Sequence, residues 1–182
     1  MATHGVLIQN RTAAKDVGAF NRSVVSGSDI DNGFVFYMAG INNSGSSEVW
    51  DVRQPTTGSL TNLWMAASPE IVLTASKYRG IDPDPRNFYN SASYVFDAIL
   101  PQIGDIITLT DDNLITGAGV GSAYAIATLD SYKFTWSASA YASSLTVLKW
   151  LQTTYISIGS GGIDTQRVAA YRFSVVNNSP LP

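Results

Sequence analysis

The sequence predicts a single, mostly β domain, either a β-sandwich or a barrel-like body, with an extended arm at its N-terminus. Short runs of β-branched and aromatic residues recur over residues 29–182, and Gly, Asn, Asp or Pro turns separate them. A chain of 182 residues suits one domain. We find neither an internal repeat nor a coiled-coil heptad pattern. These features together predict about ten short strands packed as a sandwich or barrel.

Residues 1–28 differ in pattern from the rest of the chain. They contain a short apolar run at positions 6–8 and no sustained period of 2 or 3.6 residues. We interpret them as an extended arm that packs against another surface, with Phe20, Val24 and Val25 as anchors. A frayed terminus is the alternative interpretation.

Strand signals follow from residue 29 onward, each bounded by a turn residue. In chain order the segments are NGFVFYMAG, SSEVWDVRQP, LWMAASPEIVLTAS, SYVFDAIL, GDIITLT, AYAIATL and YKFTW. We interpret LWMAASPEIVLTAS as two short strands, with a short helix around Pro69 as the alternative. SYVFDAIL is apolar enough to predict a buried strand, which Pro101 ends.

LTVLKWLQTTYISIG is ambiguous, because Val147, Trp150 and Leu151 also fit the period of a helix. The β-branched TTYISI portion and the GSGG turn after it favour a strand. We therefore predict a long hairpin in which this segment pairs with VAAYRFSVV.

Composition excludes several kinds of site. The chain has no cysteine, which removes thiol catalysis, zinc–thiolate sites, iron–sulfur clusters and disulfides. Eleven Lys and Arg residues against 14 Asp and Glu give a net charge of −3, and the basic residues are scattered rather than clustered as nucleic-acid binding requires. Charged residues make up only 14% of the chain. Such a surface suits packing against protein or sugar.

Neither a signal peptide nor a membrane span is evident in the sequence. The first residues lack a basic segment, and the longest uncharged stretch, residues 113–129, is too short and too polar to span a bilayer. We therefore expect synthesis as a soluble cytoplasmic protein, with neither a membrane nor a nucleic-acid partner.

The motifs that could hold a metal or cofactor fit structural roles better. His4 is the only histidine, and so near the start of the chain we do not expect it to face the oriented carboxylate of a catalytic triad. GAGVGSAY has Ser122 where a dinucleotide fingerprint needs its third glycine. SDIDNG fails the register of a calcium-binding EF-hand loop, so Asp31-Asn32-Gly33 is interpreted as a turn. We expect no cofactor and no metal.

RGIDPDPRNFYNSA is the densest group of side chains capable of chemistry. The proline after Asp82 and the one after Asp84 hold both aspartates extended. Residues two apart on a polyproline-like path point about 120° away from each other, so these carboxylates do not converge on one ion. Arg79 and Arg86 can neutralise them by salt bridges. We predict a stiff connector that presents Phe88 and Tyr89 at an edge of the body or at a subunit contact.

Two further functions stay open on the residues alone. Trp50, Trp64, Trp136 and Trp150 could form sugar-stacking platforms, although Trp in a β-rich protein belongs more often to the core. A carbohydrate-binding β-sandwich is therefore retained as an alternative. An enzyme ranks last, in the form of a glycosidase that would pair Glu48 or Glu70 with an aspartate.

Several segments together resemble a known family. DIDNGFVFYMAG, EVWDVRQP, SPEIV, RNFYN and YVFDAILPQIGDIITLT occur in this order within residues 29–115. They resemble head-associated structural proteins of tailed bacteriophages, especially the small capsid decoration (cement) proteins of phages that infect Gram-positive bacteria. The last third of the chain matches only in its β character.

The resemblance implies a non-enzymatic virion protein on the outer capsid surface, made in the host bacterial cytoplasm. It would bind the lattice of the major capsid protein, clamp neighbouring subunits and stabilise the head, often as a homotrimer. A tail tube or adaptor subunit is the alternative within the virion. An arm that adds a strand to a neighbouring sheet would supply main-chain hydrogen bonds. The residues expected to contact the capsid or another subunit are Val6, Leu7, Ile8, Arg11, Phe20, Val24, Arg86, Phe88 and Tyr89.

Overall fold

The computed structural model describes residues 4–14, 20–43, 48–70, 73–74, 80–81, 84–139, 146–158 and 166–178. These residues form thirteen strands, so the prediction of a mostly β, barrel-like domain is confirmed. The strands are β1 (Asn21–Val25), β2 (Val35–Ile41), β3 (Trp50–Arg53), β4 (Trp64–Ala66), β5 (Leu73–Thr74), β6 (Gly80–Ile81), β7 (Val95–Ile99), β8 (Ile106–Thr110), β9 (Leu114–Ile115), β10 (Tyr124–Ala127), β11 (Phe134–Ser137), β12 (Val147–Ile158) and β13 (Gln166–Asn177). Short 3-10 helices include Gln9–Arg11, Pro85–Asn87 and Asp111–Asn113.

A closed barrel of five strands forms the first layer of the body. Its strand order is β1-β3-β2-β4-β7, and β1 closes it by pairing parallel with β3 and antiparallel with β7. Alternate side chains fill the bore, where Phe36 meets Phe96 edge to face with ring centroids 5.9 Å apart. Closure leaves these strands without a free edge, so the barrel wall is a stiff support.

A six-stranded sheet packs against the outside of this barrel. Its order is β8-β13-β12-β10-β11-β9. Val35 and Met65 sit between bore-facing residues, point away from the bore and share one core with the aromatic residues of the sheet. There Trp136 contacts Tyr171 and Phe173 at centroid distances of 5.2 and 5.3 Å. Barrel and sheet therefore share one hydrophobic core.

Residues 4–14 lie along the outer edge of β8, to which Leu7 and Ala13 are bridged. Leu7 is 1% exposed and belongs to the core between barrel and sheet. Val6 and Ile8 point to the other side and pack against Ala170. The predicted separate arm is therefore not confirmed. Leu7 points to one side of the segment and Val6 and Ile8 to the other, and both sides contact apolar surfaces of this same chain. The rest of the predicted arm includes β1, which is a strand of the barrel.

The buried side chain of Asn178 joins the barrel to the sheet. Its Oδ1 accepts hydrogen bonds from the Leu63 N–H at 2.9 Å and from the Thr146 hydroxyl at 2.6 Å. Its Nδ2 donates to the carbonyls of Leu63 and Pro101, at 3.0 and 2.9 Å. One carboxamide thus satisfies polar groups from three separate parts of the chain.

The sequence-based strand assignments agree well with these elements. The predicted hairpin is present as β12 and β13, which pair antiparallel with a register shift between Trp150 and Gln152. LWMAASPEIVLTAS contains two short strands, β4 and β5. Residues 32–33 and 117–122 form turns or bends, as predicted. The predicted GSGG turn lies outside the described residues.

Replacement of Leu7 by alanine tests whether the N-terminal segment belongs to the fold. We expect Leu7→Ala to lower the free energy of unfolding by about 2–5 kcal/mol, because it leaves a cavity in the shared core. Urea unfolding measures the change, and Asn10→Ala, at an exposed position of the same segment, should change it by less than about 0.5 kcal/mol. Identical urea midpoints for Leu7→Ala and the unchanged protein would contradict this role.

Replacement of Asn178 tests the junction between barrel and sheet. Asn178→Ala removes four hydrogen bonds and leaves their buried partners unsatisfied, so we expect a loss of about 2–4 kcal/mol in chemical unfolding. The exposed Asn43 is a matched control, and Asn43→Ala should have little effect. Equal stability of the two variants would show that the junction contributes nothing.

Candidate interaction surface

An exposed cleft with aromatic walls lies beside the start of β7. Its volume is about 360 Å³. Apolar side chains dominate the walls, and a few polar groups complete them. The lining residues are Ser68, Pro69, Phe88, Tyr89, Asn90, Ser91, Tyr94, Val95, Phe96 and Asp97. We call this surface the Tyr94 cleft.

Strand β7 and the turn before it expose the two most prominent apolar side chains of the Tyr94 cleft. Phe96 points into the bore, so its neighbour Val95 points outward and is 58% exposed. Tyr94 is 73% exposed. The preceding Ser93 has a left-handed φ of 65°, and its N–H donates to the Ser26 carbonyl at 2.8 Å. These contacts hold Tyr94 outward at the end of the barrel.

Tyr89 is positioned by its neighbour Asn90. Asn90 and Ile30 exchange backbone hydrogen bonds of 2.9 and 2.8 Å, and the Asn90 side chain also donates to the Ile30 carbonyl at 2.9 Å. This clamp turns Tyr89 to the surface, where it is 39% exposed. Its ring stacks on His4 with centroids 4.8 Å apart. The predicted presentation of Tyr89 at an edge of the body is consistent with this placement.

His4 connects the start of the described chain to the cleft. Its Nδ1 lies 2.8 Å from Oδ1 of Asp31, whose Oδ2 accepts the Gly5 N–H at 2.7 Å. His4 therefore faces an oriented carboxylate, which its place so near the start of the chain did not indicate. These contacts hold the N-terminal segment against the turn at Asp31.

Asp84 and Arg86 form a local ion pair in the loop that precedes Phe88 and Tyr89. Asp84 precedes the 3-10 helix Pro85–Asn87 and accepts the Arg86 N–H at 3.0 Å, while Nη2 of Arg86 lies 2.9 Å from its Oδ2. Partial burial raises the pKa of Asp84, but the hydrogen bonds and charge of Arg86 outweigh it and lower that pKa overall. The predicted neutralisation of Asp84 is confirmed; Arg79 and Asp82 lie outside the described residues.

Four of the residues predicted to contact a neighbour are covered by this chain itself. The side chains of Val6, Leu7, Ile8 and Val24 are all buried in its own core. They are buried because the segment along β8 and strand β1 each have apolar surfaces of this chain on the faces where these residues point. They could meet a neighbouring subunit only by leaving that core.

The other predicted contact residues lie in three places. Arg11 is exposed and donates from Nη1 to the Tyr155 carbonyl at 3.0 Å. Phe20 is half-buried just before β1. Phe88 and Tyr89 line the Tyr94 cleft, and the Arg86 carbonyl accepts the His4 N–H at 3.0 Å. The segment RNFYN thus supplies part of one exposed surface.

Sequence reasoning missed Tyr94 and Val95. It interpreted SYVFDAIL as a buried strand, whereas β7 buries one face only, with Phe96 and Ala98 inward. The charge at Asp97 was the signal that could have shown this. A carboxylate two residues after Val95 shares its face, and a free carboxylate favours solvent.

The buried amide of Asn32 lies behind the cleft and contacts both Ser68 and Glu70. Nδ2 of Asn32 donates to the Ser68 carbonyl at 2.8 Å and to Oε1 of Glu70 at 3.2 Å. Burial raises the pKa of Glu70, and the hydrogen bond from Asn32 lowers it by less, so the net shift is upward. Burial therefore makes the charged form of Glu70 less stable in the folded protein than it would be in water.

The described residues offer no evident metal centre. No three His, Asp or Glu side chains among them come together in a way that could hold a metal ion. In the same part of the chain, no helix has the length and apolar character needed to cross a membrane.

Comparison with known proteins gives no match. No protein-family model matches this chain, and no curated protein or solved structure matches it significantly. The function is therefore inferred from the surfaces of the molecule.

Glu70→Gln tests the buried carboxylate. A raised folded-state pKa means that, between the unfolded and folded pKa values, the folded protein binds more protons, so stability falls as pH rises through that window. Glutamine keeps the acceptor for Asn32 without the charge. We expect a higher urea midpoint than the unchanged protein at pH 7, and a gain that shrinks as the pH falls and Glu70 becomes protonated.

The matched control is Glu48→Gln, which removes the same charge at an exposed position and should give no such pH-dependent gain. A gain for Glu70→Gln that is equally large at pH 7 and pH 4 would contradict the role of burial.

Proposed function

We propose that this protein is a non-enzymatic decoration protein of a bacteriophage capsid, which binds the outer surface of the major capsid protein lattice and stabilises the head. The observation that carries this proposal is the Tyr94 cleft, an exposed aromatic surface on a stiff barrel wall. RNFYN and YVFDAIL form much of it, and both lie among the segments that resemble decoration proteins.

The chemistry of the cleft suits contact with another protein. Tyr89, Tyr94 and Val95 place large apolar surfaces in solvent, and aromatic residues are enriched in the cores of protein interfaces, where charged residues are depleted. The nearby carboxylates of Asp31 and Asp84 are already paired within the chain. Docking over the cleft would therefore leave these two charges with their partners.

The rigidity of the cleft also favours binding. Val95 belongs to a closed barrel. Tyr89 directly precedes Asn90, which three hydrogen bonds to Ile30 hold in place. Little side-chain and backbone freedom is then lost on association, which improves affinity for a given contact area. Copies repeated over a capsid lattice, or joined in an oligomer, need only modest affinity at each contact.

The structure supports attachment through the cleft rather than through a free arm. The segment predicted to pair with a neighbouring sheet pairs with β8 of its own sheet. In this proposal the N-terminal residues instead support the cleft from behind, through His4 and its stacking on Tyr89.

Binding to heads tests the proposal. The purified protein is mixed with expanded, undecorated heads and sedimented with them. We expect Tyr94→Ala to weaken binding by about tenfold or more, as loss of a central aromatic contact does, while stability changes by less than about 0.5 kcal/mol because Tyr94 is exposed.

The control is Val120→Ala, which removes an exposed apolar side chain from a turn next to the six-stranded sheet and should leave binding unchanged. Failure of the unchanged protein to bind heads would overturn the proposal. Ring or tube assembly of the isolated protein would favour a tail role instead.

A further inference from the structure

The barrel opens into a second cavity, at the end away from the Tyr94 cleft. Its volume is about 550 Å³. The cleft lies beside Val95, at the start of β7, whereas Arg22 in the cavity wall pairs with Ala98, near the end of β7. The two surfaces therefore lie toward opposite ends of the same strands, and occupation of one leaves the other accessible.

We call this second cavity the barrel mouth. The alternation of side chains along the strands determines which residues line it. Arg22, Met38, Trp50 and Trp64 line it. Each lies two positions along its strand from a buried residue of the bore, and residues two apart on a strand share a face. The mouth is thus the last layer of the bore, filled by two indoles, a thioether and a guanidinium.

Tryptophan has two different roles in this molecule. Trp136 is 2% exposed and lies in the core between barrel and sheet. Trp50 is only partly buried and lines an open cavity of small-molecule size. Trp50 therefore packs against the core of the bore and also forms part of the cavity wall.

Arg22 adds a planar cation to this aromatic wall. Its guanidinium carbon lies 5.7 Å from the centroid of the Trp64 ring, a distance at which a cation is attracted to the face of an indole. Nη1 of Arg22 also donates to the Asn21 carbonyl at 3.0 Å, so the guanidinium is held within the chain beside the cavity. Among the described residues that line the cavity there is no Asp or Glu, and Arg22 is the one charged side chain in that set, so a cationic ligand would be disfavoured.

The loop over the mouth contributes polar groups and is held in place. Ser59, Thr61 and Asn62 supply two hydroxyls and an amide to the lining. The loop is closed by a hydrogen bond from the Ser59 N–H to the Thr56 carbonyl at 2.8 Å, and the Asn62 N–H donates to the Asn178 carbonyl at 3.2 Å. These hydrogen bonds fix the backbone of the loop beside the cavity.

We propose that the barrel mouth is a saccharide-binding site. A sugar ring presents an apolar C–H face that stacks on an indole, and a rim of hydroxyls that exchange hydrogen bonds with hydroxyl, amide and guanidinium groups. Trp50 is the stacking platform in this proposal, while Arg22 and the loop of residues 58–62 orient the sugar hydroxyls or an acidic substituent. This assignment does not depend on capsid binding.

Calorimetric titration of the full chain tests the proposal. The probes are the hexasaccharides of cellulose, chitin and amylose, and an oligogalacturonate. We expect at least one probe to bind, and Trp50→Leu to weaken its binding by about tenfold or more, since leucine keeps an apolar side chain but has no aromatic face. Trp50→Phe should retain most of the affinity, which separates loss of stacking from loss of folding.

Two controls complete the experiment. Tyr94→Ala should bind the saccharide as tightly as the unchanged protein, because the cleft lies toward the other end of the barrel. Binding of a neutral probe assigns Arg22 to sugar hydroxyls, and binding confined to the oligogalacturonate assigns it to a carboxylate; both support the proposal. Absence of binding across all four probes, or undiminished binding by a folded Trp50→Leu variant, would overturn it.

Discussion

Strand β1 is the element on which the other features depend. It pairs on both sides, parallel with β3 and antiparallel with β7, so without it the barrel would be an open sheet with two free edges. Closure gives the wall that carries Val95 outward at one end. It also brings Arg22 and Trp50 to the same mouth at the other end. Both proposed binding surfaces are therefore consequences of one short strand.

The buried side chain of Asn113 joins the turn at Asn32 to the end of β8. The Asn113 side chain donates to the Asn32 carbonyl at 2.7 Å, and its Oδ1 accepts from Thr110 at 3.2 Å. Two glycines make room for it, because a Cβ on Gly5 or Gly33 would approach Asn113 Nδ2 to 2.5 or 2.7 Å. Such close contacts leave no space for a larger residue. Glycine at these two positions therefore lets the N-terminal segment and the Asn32-Gly33 turn pack closely around the Asn113 side chain.

Local pattern was sufficient to predict most strands, because β-branched runs, alternation and turn residues are encoded within a few positions. β2, β7 and the β12–β13 hairpin are examples. β1 was missed, since NRSVV alternates poorly and its partners lie far away, Trp50 in a parallel pairing and Val95 in an antiparallel one. The order of strands in a barrel is a property of the whole chain.

The candidate surfaces also combine features that follow from local sequence with features that depend on distant parts of the chain. The outward position of Tyr89 depends on hydrogen bonds between Asn90 and Ile30, which are 60 residues apart, whereas the stiff loop around Asp84 follows from prolines and from the adjacent Arg86, which a sequence reveals. The covered state of Leu7 does not, because it depends on β8 about a hundred residues later. Nor does the grouping of Trp50 with Trp64, since neither the bulge in β2 nor the closure of the barrel is visible in one segment.

The pairing of β1 with β7 also has a consequence for the order in which the chain folds during synthesis. Residues 21–25 leave the ribosome long before residues 95–99, and the partners of β8 include the last strand, β13. Neither the barrel nor the sheet can therefore be completed on a short nascent chain. We expect folding to be slow, as is typical of proteins whose contacts are distant in sequence.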